Sequence, residues 1–214
     1  MTHLQRTSIV LSVFIICSHV FCGEETEEET KKKTIEAPSP DGQFAFRYTG
    51  DSESEKQTYE LIDKRSGKVL MSVAESDPDL GPSARFNMEV LWKPDSKAFA
   101  LTAMLWKRGS YVAVFVRNGS AFREIKLPEL LADIPEKIKG GKSFPHVAEL
   151  NSQSAKQWQK DGSLVVEIEN MIDGNDGSIT AIRTVVRGFD RSDKAKVLKS
   201  RIKFAVEKPE ANET

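Results

Sequence analysis

Three times along the chain an aspartate-centred polar turn feeds straight into an apolar run, and this recurrence constrains the fold more than any other feature. The first copy is Ser39-Pro40-Asp41-Gly42-Gln43-Phe44-Ala45-Phe46, and the second is Trp92-Lys93-Pro94-Asp95-Ser96-Lys97-Ala98-Phe99-Ala100-Leu101. A third, without proline, is Trp158-Gln159-Lys160-Asp161-Gly162-Ser163-Leu164-Val165-Val166. Aspartate supports such turns through its side chain, proline pre-sets φ, and glycine or serine relieves the backbone. The tryptophans ahead of the second and third turns can pack on the outgoing strands. Elsewhere apolar residues follow period two or short dense runs, which predicts strands. These fall at 44–48, 58–62, 68–73, 88–92, 98–105, 111–116, 122–127, 164–168 and 179–186, with a last one inside 197–206. Ser66-Gly67 and Asn118-Gly119 mark hairpins, and Asp173-Gly174-Asn175-Asp176-Gly177 separates two late strands.

The three copies resemble the turn-and-strand signature of the WD40-like, TolB-type β-propeller repeat (PD40). In that family a Ser-Pro-Asp-Gly turn introduces an inner strand of a four-stranded blade. The resemblance covers most of the chain as three loose units. Asp41 to Asp95 is 54 residues and Asp95 to Asp161 is 66, against about 40–45 per common blade. Propellers close with about four to eight blades, so three units imply an open or partial propeller, a sandwich, or a module that pairs with another chain. The expected fold is all-β and mainly antiparallel, as three blade-like meanders with a short helical insert near 128–139. There Leu130, Leu131, Ile134 and Ile138 approach helical spacing and Pro135 divides them, so two short turns are expected, with Asp133 capping the second. The insert would plug an open sheet edge.

Residues 1–22 read as a signal peptide: Arg6 precedes the apolar run Ile9 to Ile16, which is too short to span a bilayer as a helix. Val20 and Cys22 suit the −3 and −1 positions of ordinary cleavage. Alternatively, Cys22 resembles the modified cysteine of a bacterial lipoprotein, although Phe21 stands where that pattern prefers a small residue. Both readings stay open. Residues 23–40, with Glu24, Glu25, Glu27, Glu28 and Glu29 followed by Lys31, Lys32 and Lys33, read as a disordered charged linker. The β domain is expected over 41–206 and a disordered tail over 207–214. Export to the periplasm, an outer-membrane anchor or secretion follows from the leader, with membrane attachment only through a lipid on Cys22.

Few residues suggest chemistry. Cys17 and Cys22 are the only cysteines and both lie in the leader, so the domain has no disulfide and no cysteine nucleophile. His146 is the one histidine beyond the leader, which excludes a histidine-rich metal site. No Gly-x-Ser-x-Gly elbow or Walker loop is present. Asp173, Asn175 and Asp176 are oxygen-rich enough for a calcium test, but the EF-hand spacing is wrong and a hairpin connection is the stronger reading. Glu167 and Glu169 alternate with apolar neighbours as a solvated sheet face would. Trp106, beside Lys107 and Arg108, is the candidate binding surface. A net charge of −1 gives no field for nucleic acid. No cofactor is implied. The expectation is a non-catalytic binding or scaffolding module of the cell envelope with a protein partner. The alternative is a carboxylate-dependent hydrolase of envelope polymers.

Overall fold

The computed structural model describes residues 33–50, 57–73, 86–105, 109–147, 152–190, 192 and 194–208. They form three consecutive antiparallel meanders, each with its strands in chain order. The first holds β1 (Lys33–Pro38), β2 (Phe44–Gly50), β3 (Gln57–Asp63) and β4 (Val69–Val73). The second holds β5 (Phe86–Trp92), β6 (Ala98–Leu105), β7 (Gly109–Asn118) and β8 (Ala121–Ile125). A single helical turn α1 (Glu136–Lys139) and a short strand β9 (His146–Val147) lead to the third. That sheet holds β10 (Ser152–Trp158), β11 (Leu164–Gly174), β12 (Gly177–Phe189) and β13 (Ala195–Glu207), with β9 added on β11 beyond β10. The chain is all-β in open sheets, and each aspartate turn joins the first and second strands of its unit.

The sheets pack face to face, and the middle one is buried on both sides. On β6, Phe99 and Leu101 face the first sheet, where they meet Phe44, Phe46, Tyr59 and Leu61. Ala100 faces the other way, with Val112 and Val114 of β7, onto Leu164, Val166 and Ile168 of β11. Successive residues of a strand point to opposite faces, so a strand buried on both reads as an unbroken apolar run. The first interface is largely aromatic. Phe99 stacks on Phe115 with centroids 4.9 Å apart, and Trp92 lies 4.9 Å from Phe99 on the outgoing strand. The second interface is largely aliphatic. Burial of each such side chain stabilises by about 1.5–3 kcal/mol.

The outward faces of the end sheets carry polar rows beside apolar residues, Ala45 and Ile62 on the first and Ile182 and Val186 on the third. On the first sheet Arg47 and Glu60, directly opposite in register, form an ion pair at 2.7 Å beside Thr49 and Thr58. On the third, Glu167 and Glu169 share a face with Thr184 of β12 and with Lys199, Arg201 and Lys203 of β13. Terminal repeats of a stacked array need such a solvated outer face.

Three expectations are corrected. The charged linker does not run to residue 40: Lys33–Pro38 is β1, paired along its length with β2. Its backbone completes a ladder, and that does not require apolar side chains. The same holds for β10, whose Ser-Gln-Ser-Ala-Lys-Gln-Trp sequence gives no strand periodicity. The insert is not two helical turns either. Residues 126–135 carry no regular secondary structure, α1 starts only at Glu136, and its N-cap is Pro135 with no side-chain cap bond, so Asp133 caps nothing. Leu130 and Ile134 are half-buried and Ala132 fully buried, a period of two. The strap packs against the second core. Two side chains from the third sheet hold it. Arg187 Nη1 donates to the Pro128 carbonyl at 2.8 Å, and Asn170 Nδ2 donates to the Ala132 carbonyl at 3.2 Å. The leader, Cys22 included, lies outside the described residues.

Candidate functional site

The three aspartate turns share one construction. The carboxylates of Asp41, Asp95 and Asp161 each accept the backbone N–H two residues on, at 3.0, 3.0 and 2.9 Å. The residue after each aspartate is left-handed: Gly42 at φ 70°, Ser96 at 57° and Gly162 at 83°. Glycine takes that conformation freely and serine does not, so Ser96 needs a compensating contact. Its hydroxyl supplies one by accepting the Asp41 N–H of the neighbouring turn at 3.0 Å. A second link joins the units below the turns. Trp92 Nε1–H donates to the Ala37 carbonyl of β1 at 3.1 Å, and Trp158 Nε1–H to the Leu91 carbonyl of β5 at 3.0 Å. Ala37 and Leu91 each stand four residues before their aspartate, so one inter-sheet bond is made twice.

The third hairpin closes one residue shorter. Ser39 N–H donates to the carbonyl of Phe44 and Lys93 N–H to that of Ala98, but Gln159 N–H reaches only to Ser163. Trp158 therefore pairs with Leu164, whereas Trp92 pairs with Phe99, one position further along. A one-residue slip turns every side chain of the outgoing strand over. Leu164, Val166 and Ile168 thus point back at the second sheet.

Between the second and third sheets at the turn end lies an open groove of about 630 Å³. Lys97 and Arg117 line one side, Asp161 and Asp190 the other, and the rings of Trp158 and Phe189, 5.7 Å apart, supply its apolar part. The Arg117 guanidinium turns towards the first unit, 4.7 Å over the Phe44 ring, with Nε donating to the Gly119 carbonyl at 3.1 Å and Nη1 to Gln43 Oε1 at 3.4 Å. Asp190 repeats the turn logic between β12 and β13. One of its oxygens accepts the Ser192 hydroxyl at 2.7 Å and the N–H groups of Ser192 and Lys194 at 2.8 and 2.9 Å.

The electrostatics speak against proton transfer here. The Ser163 hydroxyl and N–H hold Asp161 below the usual carboxylate range, and the Ser192 hydroxyl with the Lys194 N–H does the same for Asp190. Partial burial pushes Asp95 up. The Lys97 N–H and the Lys93 ammonium, 3.0 Å away, outweigh it and leave that carboxyl low as well. A general acid needs the opposite shift. These carboxylates build turns.

Of the residues singled out in the sequence, Trp106, Lys107 and Arg108 lie outside the described residues. Asn175 and Asp176 are the exposed two-residue connection between β11 and β12, where Gly174 pairs with Gly177. Asp173 pairs in register with exposed His146. Among the described residues no three His, Cys, Asp or Glu side chains gather as a metal site would require. Glu167 lies half-buried, 3.9 Å from Lys156, and Glu169 is exposed on the same outward face. Sequence reasoning missed the groove because its residues come from the ends of four strands and from four turns. The motif residues Lys93, Lys97, Ala98, Trp158, Asp161 and Gly162 were the signal. No family model matches the chain, and no curated protein matches it. No described helix is long and apolar enough to cross a membrane.

Proposed function

We propose that this chain is an exported, non-catalytic binding or scaffolding module of the cell envelope, a three-unit relative of the PD40-type propeller repeat. The observation that carries the reading is the turn-end groove. It offers two signs of charge and two rings on a rigid, twice-repeated scaffold, and its carboxylates are held ionised by their own turns. Such a site can orient a ligand and has no group poised for acid–base work. The recurring tryptophan bond and aspartate turn support the kinship. The polar rows on the outer faces support a stack that ends by itself, without a ring closed by further units. The leader motif supports export, with Cys22 as the point of lipid attachment if that version of processing operates.

The test is expression with the intact leader in a bacterium with two membranes, followed by fractionation and mass analysis. A start at Gly23 marks simple secretion, an acylated Cys22 marks a lipoprotein, and a full-length cytoplasmic product overturns export. Affinity capture from envelope extract, read by mass spectrometry, should recover a protein that is lost with Lys97→Glu/Arg117→Glu. Cleavage of envelope polymers by the purified chain, abolished by Glu167→Gln, would overturn the non-catalytic reading.

A further inference from the structure

The last strand is the most exposed regular element among the described residues. β13 pairs with β12 over its thirteen residues, and its other edge has no partner among the described strands. Lys199, Arg201 and Lys203 alternate along its outward face, two residues apart and all exposed. Their cross-strand neighbours are Val186, Thr184 and Ile182. No carboxylate of the described residues lies within ion-pair distance of any of the three. Glu207, the one acid on the strand, is engaged by the Ser178 hydroxyl at 3.1 Å. On the opposite face Ile202 and Phe204 are half-buried, while Leu198 is 50% and Val206 59% exposed.

We propose that this edge takes an extended acidic polypeptide segment as an added outer strand. Three features select that occupant. A free edge offers backbone N–H and C=O groups in the spacing only another strand can match. The cation row repeats every second residue, so it complements carboxylates at every second residue of a paired strand. The opposite face meets apolar side chains at the positions between. A second copy of β13 is disfavoured, because like charges would stand opposite one another. Nucleic acid is disfavoured by the chain's net charge of −1 and by the brevity of the row. The proposal deepens the binding reading but uses a surface remote in sequence from the groove residues Lys97 and Arg117, so either site can fail alone.

The test is fluorescence anisotropy of the purified full chain with a labelled ten-residue peptide alternating Glu and Val. Two control peptides carry proline for every valine or lysine for every glutamate. The Glu/Val peptide should bind, and 0.5 M salt should weaken it, since the Debye length there falls to about 4 Å. The triple variant Lys199→Glu/Arg201→Glu/Lys203→Glu should lose at least about tenfold in affinity and should now take the Lys/Val peptide. Hydrogen exchange should show alternate amides over 198–206 protected by the peptide in the unaltered chain, a readout that survives if the variant misfolds. The proposal is overturned if the proline peptide binds as well as the valine one, since that is charge attraction without strand pairing. Absence of added amide protection overturns it too. So does preferential binding of phosphatidylglycerol vesicles that the peptide cannot displace, or self-association through the same edge.

Discussion

The second and third sheets start from nearly the same turn and make the same tryptophan bond to the unit before them, yet they bury different numbers of faces. β6 follows its turn with Ala-Phe-Ala-Leu-Thr-Ala, all of it buried. β11 follows with Leu-Val-Val-Glu-Ile-Glu, of which Leu164, Val166 and Ile168 are buried and Glu169 is exposed. The apolar phase after the turn is the same in β11 as in β2, where Phe44 and Phe46 are buried. But β2 must face the unit after it, and β11 the unit before it. The shorter hairpin closure at Gln159 reconciles the two. One residue of register decides which side of the last sheet is core, and hence where the stack ends.

The largest test sets the two strands against each other. Leu101→Glu puts a charge between the first and second sheets at a fully buried position, at a cost of at least about 3–5 kcal/mol. Against a total stability of about 5–15 kcal/mol, circular dichroism should show the native sheet signal largely lost at 37 °C. Glu167→Leu, six residues after its aspartate just as Leu101 is, should change stability by no more than about 0.5 kcal/mol. It should instead raise self-association in light scattering, because it greases the outer face of the last sheet. Equal melting losses in the two variants would mean that the third sheet is not terminal.

A smaller effect is expected at the inter-sheet bonds. Trp92→Phe and Trp158→Phe keep a ring and remove the donor, leaving the Ala37 or Leu91 carbonyl without it, for about 1–2 kcal/mol each. The two losses should be similar in chemical denaturation, since the bond is the same at both interfaces. A much larger loss at Trp92 would show that its aromatic neighbours, and not the bond, dominate the first interface.

Much of this architecture was legible in the sequence. The strand 98–105 and the hairpins at Ser66-Gly67 and Asn118-Gly119 followed from alternation and turn chemistry, and the aspartate repeat located the first-to-second-strand turns. What stayed hidden has a common cause. β1 and β10 are stabilised by backbone pairing and carry few apolar side chains. In the strap at 126–135 the four-residue spacing of Leu130 and Ile134 fits period two as well as a helix, and Leu131, which is 47% exposed, is the residue that suggested the helix. The groove needs the second and third sheets side by side, which no local pattern encodes.

Below these in size comes the turn itself. Ser96→Ala keeps the left-handed strain and removes the acceptor of the Asp41 N–H, for about 1–2 kcal/mol. Ser96→Gly removes both strain and acceptor, so thermal melting should place it within about 0.5 kcal/mol of the parent. Gly162→Ser, by contrast, gains the strain, and its added Cβ meets the Lys93 side chain at 3.4 Å.

The smallest expected effects lie at the extremes of pH, and their signs differ. Asp161 and Asp190 have folded carboxyls held low, chiefly by the hydroxyls of Ser163 and Ser192. In the unfolded chain they titrate near the ordinary value of about 3.9. The unfolded state therefore binds protons first, and the stability these turns contribute is present above that value and lost as pH falls through the lower folded ones. Asp190→Asn keeps an acceptor oxygen and removes the titration, so its melting temperature should fall less steeply below pH 4 than the parent's. Tyr59 behaves in the opposite sense. Burial, with the neighbouring Tyr48 phenol, pushes it up to about 12, so its contribution is intact below about pH 10 and lost as pH rises towards 12. Tyr59→Phe should flatten that alkaline limb while leaving the acid limb unchanged. An acid limb that moved with it would mean that the aromatic interface and the aspartate turns melt as one unit. Independent limbs fit a stack in which each interface carries its own share.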